Sequence, residues 1–252
     1  MDLSHQSNQQ HSADPVYRRL HRAFLAFCIV LAPLILSLWF GLCPTGANDA
    51  ACPDMASSLA VFAAFRAMNP QLMQLFLVLS LIIPYLYALS FVGLGLLAMK
   101  RSPWLATLGM ACGFAAGIVW AAIADSIAML FSMAQNSLNP LFVTVEHQYY
   151  ASWLIVTFGA FWVIGHLFAY VLLGIALLRA RVIPRWAAWL FIVSAPLMGP
   201  IAYGVNVGLL QILGFILVFI ASVPAALAML RRRDEEDAVR GPAAEGLAST
   251  RQ

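Results

Sequence analysis

Charge is scarce in this sequence. Asp, Glu, Lys and Arg make up 10% of its 252 residues while 62% are hydrophobic, whereas a soluble domain carries about 25% charged residues. Such a chain cannot clothe a water-facing surface, which excludes an ordinary soluble fold and points to an integral membrane protein. Histidine is thin as well. His5 and His11 lie in the polar N-terminal stretch, His21 precedes the first apolar run and His147 falls between runs, so only His166 is inside one. A catalytic zinc wants roughly three protein ligands and a bis-histidine haem two intramembrane imidazoles, and neither set is present. Motifs for nucleophilic, metalloprotease or phosphate chemistry are also missing: there is no G-x-S-x-G, no H-E-x-x-H and no phosphate loop. No cofactor and no metal are expected, and the missing motifs weigh against an enzyme without deciding the matter.

Cysteine is sparse, and no C-x-x-C spacing occurs among the four. Cys28 and Cys112 fall in apolar runs, where a thiol behaves as a small buried hydrophobe. Cys43 and Cys52 stand in a turn-rich stretch with Pro44, Gly46, Asn48, Asp49 and Pro53. An oxidising exterior would join them in a structural disulfide; two unrelated thiols, or a redox-active pair, are the alternatives.

What the sequence does have is long apolar runs. They cover 23–41, 71–99, 103–133, 150–178, 186–204 and 207–230, each close to or above the ~20 residues that cross a bilayer as a helix. Basic residues sit at alternate junctions: Arg18, Arg19 and Arg22, then Lys100 and Arg101, then Arg179, Arg181 and Arg185, then Arg231, Arg232 and Arg233, with Arg240 and Arg251 beyond. Of the 14 Lys and Arg residues, Arg66 alone falls on the other side. Positive charge is retained in the cytoplasm. Both termini are therefore expected in the cytoplasm of a cell with this inner membrane protein, and the 42–70, 134–149 and 204–207 connections outside it. The net charge of +3 is accounted for by these junctions, so no nucleic-acid partner is expected; membrane lipids are.

The predicted architecture is all-α and polytopic, a bundle of six transmembrane helices over 17–230 with a short helix in the first outer loop. A disordered tail, 1–16, precedes it and a charged tail, 231–252, follows. The first run is long enough to stay as an uncleaved anchor. In the first outer loop DMASSLAVFAAFRAMN reads as a helix lying at the interface, with Asp54 as N-cap and Leu59, Phe62, Ala63 and Arg66 on one face.

The third run carries a small residue at every fourth position: Gly109, Gly113, Gly117 and Ala121, ending at Asp125. This predicts one close-packing stripe on which another helix sits. Pro33, Pro84, Pro196 and Pro224 bend their spans, and Trp39, Trp104, Tyr149, Tyr150, Trp153, Trp186 and Trp189 take the interfacial belt. The two halves show no residue-level repeat of the kind seen in transporters.

Asp125 is the leading candidate for function, because a carboxylate within a span costs at least ~2.5–3.5 kcal/mol at a helix centre. It falls near the outer boundary, ~30 Å along the helix from Trp104, in reach of Arg66, Glu146 and Asn206, with Gln211 just inside. His166 lies ~20 Å into its span from Trp153 with Trp162 and Tyr170 one turn to either side. Each has a bland alternative, a structural ion pair for Asp125 and a packing hydrogen bond for His166.

The segment YVLLGIALLRARVIPRWAAWLFIVSAP, 170–196, with its basic turn and Ile-Pro-Arg-Trp restart, resembles the corresponding part of bacterial multi-spanning membrane proteins of unknown function. The layout, a long first outer loop with a short helix and then successive hairpins, is also similar. That resemblance implies no substrate and no catalytic residues.

The leading functional expectation is a small-molecule or lipid binding, transport-like protein whose polar site opens outward between Arg66, Asp125, Glu146, Asn206 and Gln211. A second is an accessory or assembly subunit without a ligand, packing on itself or on a membrane partner through the glycine stripe. A third is a quinone-linked oxidoreductase using His166 and Tyr85.

Overall fold

The computed structural model describes residues 15–42, 58–136, 140–201 and 208–249. Within them every regular element is helical: α1 (Pro15–Leu42), α2 (Ser58–Ala67), α3 (Pro70–Ala98), α4 (Pro103–Asn136), α5 (Pro140–Ala151), α6 (Trp153–Ala180), α7 (Arg185–Pro196) and α8 (Gly208–Ser249). Cys43, Cys52 and Asn206 lie outside the described residues.

The helix ends follow from local chemistry. Asn69 caps α3 by accepting from the Gln71 amide at 2.8 Å, with Pro70 at the first helical position, where its missing N–H is no loss. Ser152 caps α6 by accepting from the Ile155 amide. That helix stops at Arg181, whose left-handed backbone (φ 54°, ψ 33°) returns its N–H to Leu177 O, and Pro184 precedes α7.

Among the described residues five helices are long and apolar enough to cross a membrane: Val16–Leu42, Pro70–Ala98, Pro103–Met133, Trp153–Ala180 and Leu209–Arg231. The run 186–204, expected to be a sixth full span, takes a different form. Its 12-residue α7 passes directly into a π-helical turn of 5 residues, Leu197–Ile201, a continuous stretch at the lower end of the ~17–25 residues of a crossing, while 202–204 lie outside the described residues. The cause is local. Pro200 has no N–H to offer the Pro196 carbonyl four residues back, so α-helical register cannot continue through it. A second difference is α5, a helix where only a connection was expected.

The long elements form a closed up-and-down ring. α1 packs on α3, α3 on α4, α4 on α6, α6 on α7 and α7 on α8, which returns to α1; α3 also reaches across to α6 and α8. α2 packs on α4 and α5, and α5 on α6. Close approaches on both sides of α4 use glycine: a Cβ at Gly109 would come within 2.6 Å of Leu173 on α6, one at Gly117 within 2.9 Å of Ala88 on α3, and one at Gly113 would overlap the Phe91 ring.

Outside the ring the side chains are large and apolar, with Phe27, Leu81, Ile118, Phe161, Phe168, Val193 and Ile220 all exposed. In water so continuous an apolar surface would aggregate; around a ring of this length it is a hydrocarbon-facing belt.

Candidate functional site

The interior of the ring is built of aromatic side chains, and every ring element supplies one. Trp39 of α1 stacks on Phe76 of α3 (centroids 4.7 Å) and meets Trp120 of α4 edge-on (5.0 Å). Trp120 lies 4.3 Å from Trp162 of α6, which lies 4.5 Å from His166 one turn along. Tyr87 of α3 contacts Trp162 at 5.3 Å and His166 at 6.5 Å. Tyr170 carries the contacts to Phe191 of α7, and Phe215 of α8 stacks on Phe40 and faces His166.

Set into this apolar wall are a few polar atoms. Trp39 Nε1 donates to Ser80 Oγ at 2.7 Å, and Ser80 Oγ donates to the Phe76 carbonyl at 2.8 Å, so that pair is satisfied. His166 is 5% exposed and its Nδ1 lies 2.6 Å from the Trp162 carbonyl. A carbonyl can only accept, so Nδ1 carries the hydrogen and, in the neutral ring, Nε2 is left as an acceptor.

Among the described residues, Tyr87 Oη, Trp120 Nε1 and Gln211 Oε1 are buried without a well-formed hydrogen bond. The Tyr170 ring lies edge-on to Tyr87 at 6.2 Å and its hydroxyl is the polar neighbour of Tyr87 Oη, so the atoms wholly without a partner are Trp120 Nε1 and Gln211 Oε1. Gln211 sits one turn before Phe215 on α8, and so on its interior face. Unsatisfied buried polar groups are uncommon in folded proteins and cost about 1–3 kcal/mol each.

The residues singled out from sequence separate into groups. Arg66 on α2 and Asp125 on α4 are both exposed, and among the described residues no ion pair joins them. Glu146 belongs to α5. Gln211 is 4% exposed and faces inward with the aromatic set. Tyr85, expected beside His166, is 71% exposed on the outer surface of α3. Tyr87 takes the place by the imidazole instead. Residues two positions apart on a helix differ by about 200° of rotation, so only one of the two tyrosines can face the ring interior.

The glycine stripe also divides. Gly109 faces α6, Gly113 and Gly117 face α3, and Ala121 and Asp125 are exposed. A four-residue step advances about 40° beyond a full turn, so the row winds around α4 and leaves the packed face by its end.

No protein-family model, no curated protein and no solved structure matches this chain. What stands is the class its helices define: a multi-pass, all-α membrane protein. The layout resemblance noted above attaches it to no particular family.

Proposed function

We propose that the protein binds a small, flat and largely apolar molecule, of the size and hydrogen-bonding character of a quinone headgroup or a lipid-soluble aromatic, inside the aromatic ring interior. The observation that carries this reading is the pair of buried polar atoms left without partners, Trp120 Nε1 and Gln211 Oε1, together with the Tyr87 hydroxyl and the acceptor Nε2 of His166. Donor and acceptor atoms held in an apolar, π-rich wall are what such a ligand needs, since stacking supplies most of the contact and one or two hydrogen bonds set orientation. Gln211 lies in the first turn of α8, at the end bearing α2 and α5, and entry is proposed from there, past Arg66 and Asp125 at the rim.

The test uses apolar substitutions of similar shape. Trp120→Phe and Gln211→Leu remove an orphaned polar atom, which by itself is neutral or stabilising. If the atoms serve a ligand, these variants keep or raise the midpoint of thermal unfolding in detergent, yet lose a co-purifying small molecule seen in native mass spectra of the parent. Retention of that molecule by both variants would sink the proposal.

A second reading, assembly with another membrane chain, is favoured by Tyr85. It stands midway along α3, with exposed Leu81 and Ile82 beside it, and a phenol there faces hydrocarbon with no route to water. A hydroxyl on a neighbouring helix would satisfy it. Cysteine placed at Tyr85 crosslinks to a second copy or to a foreign chain under this reading, and to neither otherwise.

A further inference from the structure

Three parts of the chain that are distant in sequence meet at the basic end of the ring: the α3–α4 turn, the α6–α7 turn and the α8 segment reaching Arg231. Between them lies a cavity of about 590 Å³, within the ~300–1,000 Å³ range of small-molecule sites. Lys100, Arg101, Arg181 and Arg231 line it, and among the described residues no acidic side chain does. The rest of the wall is apolar and includes Val182 and Leu227. Leu227 is exposed on the hydrocarbon-facing side of α8, in line with Val223 and Leu230.

The cavity is thus cationic at one side and continuous with the lipid belt at the other.

The charge-distribution rule explains why cations occur at this end. It does not require cations from two turns and a third helix, α8, to border one concavity. Arg181 adds a second feature. Among the described residues it alone has positive φ, at the position after a helix where glycine is the usual occupant because it has no Cβ to strain. An arginine stands there instead, and it lines the cavity.

The geometry points to a binding site for a phosphate-bearing lipid, an anionic phospholipid whose phosphodiester is held by Arg101, Arg181 and Arg231 while an acyl chain runs along Leu227 and Val182. Guanidinium groups suit phosphate oxygens through paired N–H donors, and basic pockets between membrane helices recognise such headgroups. This site is separate from the ring interior and does not depend on the reading given for it.

The experiment uses the full chain in nanodiscs of phosphatidylcholine alone or of an equal mixture with phosphatidylglycerol. Retained lipid is counted by native mass spectrometry and the unfolding midpoint is recorded. Phosphatidylglycerol is expected to be retained selectively and to raise the midpoint. Arg181→Gly is the informative variant, because glycine suits the left-handed backbone: the midpoint without phosphatidylglycerol holds or rises, while retention falls by about tenfold, the loss of one charge-assisted contact. Arg101→Gln paired with Arg231→Gln should lower retention further.

Arg19→Gln, at the same end on α1 but outside the cavity, should leave retention unchanged. Equal loss in Arg19→Gln would overturn the proposal in favour of diffuse surface charge. Equal protection by inorganic phosphate or glycerol phosphate would overturn the lipid as the ligand and assign the cavity to a soluble phosphate. Indifference to every one of these anions would overturn the site altogether.

Discussion

Trp39 on α1 and Ser80 on α3 are joined by a 2.7 Å hydrogen bond from the indole N–H to the serine hydroxyl, buried at both ends. The same hydroxyl donates to the Phe76 carbonyl at 2.8 Å, so the indole is held by a group already anchored to its own helix. It ties two ring helices together inside the bundle, and it orients the ring that stacks on Phe76 and meets Trp120.

Ser80→Ala leaves the Trp39 N–H buried without an acceptor and is expected to cost about 1–2 kcal/mol. Trp39→Phe in the Ser80→Ala background removes the orphan. A double-mutant cycle read by reversible detergent unfolding should give a coupling of about 1 kcal/mol; additive effects would mean the bond contributes nothing.

Gly113 and Ala121 lie on the same four-residue row of α4 and should respond oppositely. Gly113→Ala pushes a methyl into the Phe91 ring and is expected to cost about 1–3 kcal/mol. Ala121→Leu adds a larger group to an exposed position and should stay within about 0.5 kcal/mol. Unfolding midpoints of the two variants check this. Equal sensitivity would mean that the whole row is packed, as the sequence reading supposed.

How much of this was legible from sequence depends on contrast between neighbouring residues. Span positions were, because twenty apolar residues between basic or proline-rich junctions have no other use. The helix of the first outer loop was, from its apolar spacing, though its expected cap, Asp54, lies outside the described residues. The change from α- to π-helical geometry within the run 186–204 was not legible, because hydropathy does not register that Pro196 and Pro200, four apart, interrupt helical register. The helix α5 was missed because its mixture of Thr144, Glu146, His147 and Gln148 with Phe142 and Val143 gives no stripe.

The interior was least legible, for a physical reason. In a soluble helix the polar face marks the outside, but α3 is apolar all round, so nothing in the run says whether Tyr85 or Tyr87 faces inward. One signal was present: Ser80 and Ser90, both buried, share the side of α3 that holds Phe76, Tyr87 and Phe91. Small hydroxyl residues in a membrane helix tend to mark its packed face. Arg181 was legible only as a charge at a junction; its left-handed backbone is a property of the turn, and the concavity it borders needs both turns and α8 at once.

Orientation is a separate expectation that accessibility settles. With the basic end in the cytoplasm, Gln71→Cys, exposed in the first turn of α3, is labelled in intact cells by a membrane-impermeant maleimide once Cys28, Cys43, Cys52 and Cys112 are replaced. Arg19→Cys, exposed near the start of α1, is labelled only after lysis. The reverse pattern would invert the topology and place the basic cavity outside.

His166 separates packing from binding most sharply, because the two roles predict different responses to size and polarity. The imidazole fills space between Trp162, Tyr87 and Phe215, and its Nδ1 bonds a carbonyl of its own helix. His166→Ala opens a hole among these rings and is expected to cost about 2–5 kcal/mol whatever the function. His166→Leu keeps the volume, and the Trp162 carbonyl keeps its helical partner, so stability should fall by less than about 1.5 kcal/mol. If Nε2 accepts from a bound molecule, the leucine variant loses that molecule in native mass spectra while its unfolding midpoint stays near the parent's. A packing histidine predicts the opposite outcome, with the molecule retained in proportion to folded protein in both variants.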